Sequence, residues 1–492
     1  MAKRIEDDLT DRARQAEDAS AIIGASTVTY GALLRWSAGI AEALERAGVR
    51  RGDRVAVWTG KSSAEVASLY GAWLAGAIVV PVHDVLKRPQ VQHVLEHCDA
   101  RAVLATGRLA TQLDEGLREG RVVLDPTRIE PATARARALP GDDEPAALLY
   151  TSGSTGQPKG ILVSHANLLA GARIVTGYLG IREDDRILSV LPFAFDYGLN
   201  QLLGAVHIGA SLVLARSSLP ARVCRHLVED RITVLAGVPP LWARLMGRGS
   251  PLTERTPATL RLITNSGGAF PVSLLERYRA ALPQVQICLM YGLTEAFRST
   301  YLPPHELPFR PTSMGRAIPE TELMLVGPDG REVNVGEVGE LVHAGPTVAL
   351  GYWNDIEATR ARFRPHPTEP GKTAVYSGDR VRRDAEGYFY FVGRGDQQMK
   401  CSGVRVSPDE VEELVFASNL VEEVAVTGEP DPVVGTRPVA HVVLFGDREA
   451  GMAELTSWCR REMPSYMWPR IMVCDALPRT ASGKLDRKGL AA

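Results

Sequence analysis

A chain of 492 residues, 45% hydrophobic and 23% charged, with a net charge of −2, is an ordinary globular protein too long for one core. The charge balance argues against a broad nucleic-acid or anionic-membrane surface. Six scattered cysteines (Cys98, Cys224, Cys288, Cys401, Cys459, Cys474), none in a C-x-x-C, argue against zinc or disulfides and for a cytoplasmic protein. The charged start lacks the apolar core of a secretory signal, and the longest apolar stretch, Leu69 to Val82, is too short to span a bilayer.

Residues 31 to 47 predict an amphipathic helix: Leu34, Ala38, Ala41 and Leu44 share a stripe, and Gly48 ends it. Arg54 to Trp58 predicts a strand, and Ser62-Ser63-Ala64-Glu65 opens a second helix to about Ala75. Ile78 to Val82 is the next strand. Residues 126 to 145 have no period and read as a surface connection before a buried strand, Ala146 to Tyr150. Ser164 caps a helix after it, and His165 reads as structural. Strands at Ile187–Leu191, Thr233–Val238, Leu260–Thr264 and Ile287–Met290 continue the alternation, which implies α/β layers with mainly parallel sheets. Residues 316 to 353, rich in short strands and Gly turns, predict a β-rich subdomain. The large domain closes near Gly395, and a small α/β domain follows, with a helix from Ser407-Pro408-Asp409-Glu410 and strands at Val421–Val426 and Pro438–Phe445.

The stretch Thr151-Ser152-Gly153-Ser154-Thr155-Gly156-Gln157-Pro158-Lys159-Gly160 holds three glycines, four hydroxyls and one lysine. Glycines let backbone N–H groups approach a polyanion, and the hydroxyls and Lys159 add donors and charge. It is a phosphate cradle without the Walker A order, since Lys159 follows a proline and no helix start takes it up. This stretch resembles the phosphate-binding signature of the adenylate-forming superfamily (acyl-CoA synthetases, adenylation domains of nonribosomal peptide synthesis, luciferase), and companion motifs recur in family order to Lys484. The resemblance implies a large N-terminal domain of layered α/β subdomains plus a β-rich subdomain (residues 1–395). It also implies a small, mobile C-terminal α/β domain (396–492).

The chemistry so implied joins a carboxylic acid to AMP, releasing pyrophosphate, and then transfers the acyl group to a thiol. By the resemblance, Thr151, Ser152, Gly153, Ser154, Thr155 and Lys159 surround the β- and γ-phosphates of ATP, and Gly267-Gly268-Ala269 and Tyr291 take adenine. Thr294 donates to the α-phosphate, and Glu295 is the Mg²⁺ ligand. A carboxylate beside a triphosphate is unfavourable without such a bridging cation. Asp379, in Tyr376-Ser377-Gly378-Asp379, accepts from ribose, with Arg394 and the Phe391 stretch beside it. Lys484 is the catalytic cation at the α-phosphate. Asp396 is the hinge whose rotation withdraws Lys484 and brings Lys400 forward for thioester formation. Each residue has a plain structural counterpart: a solvated loop, a helix start, a turn aspartate, a solvated tail lysine.

Tyr197, Asn200, Gly237, Thr264, Ser266, Met290, Arg298 and Ser299 would line the acid pocket by the same resemblance. Asp196, in Phe195-Asp196, either reads a substrate ammonium or is a helix N-cap. Arg298 pairs Asp196, grips a second substrate carboxylate, or faces solvent. The stretches Leu191–Leu202 and Tyr291–Tyr301 look like bacterial AMP-forming acyl-CoA ligases associated with exosortase systems. The expected substrate is a small polar acid, amino acids included. The acceptor is coenzyme A or the phosphopantetheine of a carrier protein in trans. The alternatives left open are a free-standing amino-acid adenylation enzyme loading a carrier protein, transfer to a non-thiol acceptor, and an inactive nucleotide-binding protein.

Overall fold

The computed structural model describes residues 3–134, 141, 143–152, 158–247, 250–252, 257–394, 399–401, 404–431, 435–480 and 485–490. The alternation read from the sequence becomes two layered sheets. The first, nine-stranded, runs in space from Arg316–Ala317 through Thr300–Leu302, Gln286–Tyr291, Leu262–Asn265, Val234–Gly237, Arg186–Ser189, Ser211–Leu214 and Ser20–Ile23 to Thr27–Thr29. Its strands from Gln286–Tyr291 to Ser20–Ile23 are parallel, and both margins are antiparallel. The second, seven-stranded, runs from Gly351–Tyr352 through Pro158–Ser164, Pro145–Ser152, Ile78–Pro81, Arg54–Trp58 and Ala100–Ala105 to Val122–Leu124.

Helices Tyr30–Arg46, Ser63–Leu74, His165–Leu179 and Asp196–Ile208 bury Leu33, Ile40, Leu69, Trp73, Leu168 and Leu202 in one core with both sheets. The helix predicted over 31–47 forms because Thr29 Oγ1 accepts from Ala32 N, and it ends before Gly48 in the left-handed region (φ 82°). Gly71 lets the next helix close on it, since a Cβ there would stand 2.7 Å from Ile40. His165 is fully buried, with Arg4 Nη2 2.7 Å from its Nε2, which is a structural role.

An antiparallel sheet and a mixed one, whose strand Arg470–Val473 runs parallel to Gly435–Leu444, complete the chain. The β-rich segment expected over 316–353 extends to Arg394: Glu322–Val326, Val338–Ala344, Thr373–Arg383 and Phe363–Pro365 form one sheet, with Phe389–Arg394 paired to Thr373–Arg383. Beyond it, Ser407 caps helix Pro408–Phe416 with proline in the first turn. The strands expected at Val421–Val426 and Pro438–Phe445 belong to a longer hairpin, Val421–Asp431 with Gly435–Leu444. Cross-strand pairing, including Glu429 with Arg437, carries it past the Glu-Pro-Asp run that reads as a turn. Val272 N donates to Glu413 Oε1 (3.1 Å), and Val411, Val415 and Phe416 share an apolar cluster with Trp242 and Tyr278. Among the described residues no helix is long and apolar enough to cross a membrane.

Candidate active site

The described ends of the stretch 151–160 lie on two paired strands. Pro145–Ser152 and Pro158–Ser164 pair antiparallel with Thr151 opposite Lys159, so the strand outruns its expected end at Tyr150. Gly153, Ser154, Thr155 and the Ser152 side chain lie outside the described residues. Lys159 Nζ donates to Asp355 Oδ2 (2.9 Å) and stands 5.5 Å from the Tyr352 ring centroid. On the same ring, the Tyr352 hydroxyl donates to Glu295 Oε1 (2.5 Å), while Arg362 Nε lies 3.9 Å from that oxygen. The Lys159 cation and the Glu295 carboxylate are thus both placed against one tyrosine.

Glu295 lies in a turn that reaches every other part of the site. Between strand Gln286–Tyr291 and strand Thr300–Leu302 the chain makes a tight bend: Ser299 N donates to Tyr291 O (2.9 Å), and Arg298 N to Ala296 O (2.7 Å). Phe297 sits at φ 61°, a strained conformation for an aromatic residue, and its ring packs where a Cβ on Gly171 would be 2.6 Å away. At one end of the turn the Tyr291 hydroxyl donates to Asp379 Oδ2, whose other oxygen accepts from Arg394 Nε (2.9 Å). Burial next to Asp379 pushes the Tyr291 phenol well up, so it remains a donor. Asp379 and Arg394 are register partners across the β-rich sheet, beside a bulge at Arg380/Val381. Phe391 is exposed on the same strand as Arg394. The adenine segment, Gly267, Gly268 and Ala269, is an exposed loop, strapped by Asn265 Nδ2 to Gly268 O (2.9 Å), with Asn265 Oδ1 held by Trp242 Nε1 (3.1 Å). Gly267 has φ 80°, which favours glycine. The Thr294 hydroxyl is buried in the turn itself.

On the opposite side the turn delivers Arg298. Its side chain is buried, 2% exposed; Nη1 donates to Ser266 Oγ (2.6 Å), and the guanidinium stands 4.7 Å from the Tyr197 ring centroid. Tyr197 is fixed by its hydroxyl against Thr264 O (2.9 Å) and Oγ1 (2.7 Å). Tyr197, Thr264, Ser266 and Arg298 therefore meet, as the sequence implied. Met290 accepts from the Tyr178 hydroxyl at its sulfur (3.0 Å), and Gly237 passes so close to Trp242 that a Cβ would be 2.6 Å away. Ser299 is turned to the buried His343, Nδ1 2.9 Å from its hydroxyl. Asn200 is buried with Nδ2 unpartnered.

Asp196 corrects one reading: the helix cap is Phe195, Asp196 is the first helical residue, and its carboxylate caps nothing. It makes no ion pair with Arg298, so neither that pairing nor a solvent-facing Arg298 is realised. The segment before Asp196 is held from below by Lys61, which donates to Leu191 O and lies 4.5 Å from the Phe193 ring centroid. Burial pushes the Lys61 ammonium down and the Glu65 carboxyl beside it up, and the attraction between the two opposes both shifts.

Asp396, Lys484 and the Lys400 side chain lie outside the described residues. The stems of the Lys484 loop are described: Arg479 bridges to Leu485, Arg479 Nη2 pairs with Glu423 (2.7 Å), and Arg487 Nη1 donates to Glu412 Oε1 (2.5 Å) and Val426 O (2.7 Å).

Residues 9–353 match the AMP-binding enzyme family and residues 410–484 match the AMP-binding enzyme C-terminal domain. The chain belongs to the AMP-binding enzymes. Feruloyl-CoA synthase of Amycolatopsis is 32% identical over 96% of both chains. The L-proline–[L-prolyl-carrier protein] ligase of Pseudomonas fluorescens is 32% identical over 90% of both. The anthranilate CoA ligase AuaEII, solved with anthranoyl-AMP, superposes with a TM-score of 0.91 at 28% identity, covering 100% of this chain and 97% of that one. As an AMP-binding enzyme this chain is an adenylate-forming acid–thiol ligase, and ATP, Mg²⁺ and a coenzyme A or carrier thiol are the family's co-reactants. The site fits the metal: Glu295 is a hard oxygen donor, and with Oε1 taken by Tyr352 its second oxygen has no hydrogen bond among the described residues. Bound there, Mg²⁺ would supply charge neutralisation at the phosphates. Sequence reasoning missed Tyr352 and Asp355; the aromatic-plus-Asx run Gly351-Tyr352-Trp353-Asn354-Asp355 was the signal available.

Proposed function

We propose that the chain activates a compact, polar carboxylic acid as its adenylate and hands the acyl group to a thiol, with residues 1–395 as the nucleotide-binding domain and 396–492 as the domain that alternates. One observation carries this reading. The turn from Tyr291 to Ser299 joins the phosphate cation Lys159 (through Tyr352 and Glu295), the ribose group (Tyr291, Asp379, Arg394) and the acid side (Arg298, Ser266, Tyr197). Phosphate, metal, sugar and acid are thus registered to one another by nine residues of backbone.

Within that frame Lys159, Thr151 and the glycine-rich stretch hold β- and γ-phosphates, Thr294 and Lys484 meet the α-phosphate, and Asp379 takes the ribose hydroxyls. The family's acceptors are free coenzyme A and a carrier-bound phosphopantetheine. Relatives named for coenzyme A esters and for a prolyl-carrier protein support either, and a carrier would come in trans. A cytoplasmic location is supported by these co-substrates. A panel of acids incubated with ATP and Mg²⁺, read by pyrophosphate exchange and by mass spectrometry of the adenylate, tests the proposal. Lys484→Ala is expected to bind ATP normally and to lose about 10²–10³-fold in adenylation, as for removal of one charge-stabilising donor. Near-normal exchange by this variant would remove Lys484 from its role.

A further inference from the structure

Arg298 presents a buried cation with two of its three nitrogens unpartnered. Nη1 is committed to Ser266 Oγ (2.6 Å), but Nε and Nη2 are both buried and unpartnered. In a planar guanidinium those two N–H groups form one edge, parallel and facing directly away from Nη1. That edge is a fork with the spacing of a carboxylate's two oxygens. The charged groups beside Arg298 offer no such oxygens. It acts electrostatically on Tyr178, Tyr197 and Cys288, and burial raises all three groups, so they stay neutral. The Tyr178 hydroxyl is spent on Met290 and the Tyr197 hydroxyl on Thr264. Asp196 and Glu295 form no ion pair with it among the described residues.

The chain does not drift into this arrangement. Gly292 is required beneath Arg298, since a Cβ there would stand 2.6 Å from Phe297 O and 3.2 Å from Arg298 Nη1. Phe297 is held at φ 61° to turn Arg298 inward. An unpaired buried charge is costly enough that it is retained where a ligand completes it. Asn200 Nδ2, one helical turn beyond Tyr197, is a further buried donor without an acceptor. The surplus is of donors, so the missing partner is an acceptor.

We infer that the acid substrate carries a second carboxylate, and that the Nε–Nη2 edge of Arg298 binds it bidentately while the first carboxylate is activated beside Glu295 and Thr294. The inference rests on the reading of this chain as an acid-activating enzyme and adds the substrate class. The distal carboxylate undergoes no reaction; it orients the acid and confines activation to the other end.

Matched acids test it: succinate with butyrate, glutarate with pentanoate, isophthalate with benzoate, each in ATP–pyrophosphate exchange with wild type, Arg298→Met and Arg298→Lys. The wild type should favour a dicarboxylate over its partner by about a hundredfold or more in kcat/KM. Arg298→Met should lose that preference with the KM for ATP unchanged, and Arg298→Lys, a point charge without a fork, should fall between. The wild-type melting midpoint should rise with the favoured dicarboxylate plus AMP and not with its monoacid, a readout that survives if the variants do not fold. Preference for the monoacid in every pair, or a preference retained by Arg298→Met, overturns the second carboxylate and leaves acid activation standing. Exchange with no acid at all overturns both.

Discussion

His343 shows how a single buried residue ties stability to pH. Its ring nitrogens lie 2.9 Å from Ser299 Oγ and 3.1 Å from Thr347 Oγ1, and complete burial lowers its pKa to about 3. Unfolded, the same imidazole titrates near 6.5. Between those values the unfolded chain binds a proton that the native chain does not, so the stability tied to His343 is full above about 6.5. It is lost as the pH falls toward 3, by about 1.4 kcal/mol per unit. His343→Asn removes the titration along with one of the two hydrogen bonds. The variant should therefore be the less stable protein at pH 7, and the gap in unfolding free energy should narrow by about 2 kcal/mol at pH 5, read as converging melting midpoints. A gap independent of pH would mean that His343 is protonated in the fold. The sequence gives no sign of this histidine's burial. Lys159, Glu295 and Asp379 stand out in the sequence because their types and order follow the chemistry of a nucleotide. Tyr352, Asp355 and His343 do not, because their importance lies in contacts between strands far apart in the chain.

At the scale of an element, the Tyr291–Ser299 turn combines legible and hidden features. Its strand and its Thr294-Glu295 pair can be read from residue types. The left-handed Phe297 and the inward Arg298 cannot, because both follow from how tightly the bend closes on Gly292 and Gly171. Gly292→Ala places a methyl against backbone at 2.6 and 2.9 Å, so the bend must open. Overpacking of this kind costs about 1–3 kcal/mol. Since the turn fixes Glu295, Tyr291 and Arg298 relative to one another, the variant should lose kcat/KM about tenfold or more for every acid alike. Arg298→Met should instead alter the ranking of acids. A Gly292→Ala enzyme that shifted acid preference while keeping its rate would separate the turn from the nucleotide groups. The strand boundaries teach the same lesson in milder form. The hairpins at Pro145–Ser164 and Val421–Leu444 run past the residues that look like strand ends, because ladder pairing overrides local composition.

For the molecule as a whole, the role proposed for Lys484 asks how a cation near the C-terminus would serve a site built by residues of the large unit. The loop that bears Lys484 is not a loose tail at its stems. Arg479 is tied to Glu423, Asp486 N donates to Pro478 O (2.8 Å), and Arg487 lies among Glu412, Asp409 (3.2 Å) and Val426 O. If Lys484 acts as proposed, these stems tie it to the small unit, and that unit's contact with the large one, through Glu413 and Val272, bears on its delivery. Burial pushes the Glu412 carboxyl up to about 7 even with Arg487 beside it, so the pair is closely matched and sensitive to loss of either partner. Arg487→Met strands Glu412 in the interior, a change that costs about 3–5 kcal/mol. The cost falls on the small unit alone. ATP affinity, a property of the Lys159, Glu295 and Asp379 groups, should stay within about threefold, while adenylation falls about a hundredfold and limited proteolysis speeds up beyond Arg394. Weaker ATP binding in step with adenylation would show that the two units grip the nucleotide jointly. Unchanged adenylation would show that the stems of the loop have no part in delivering Lys484.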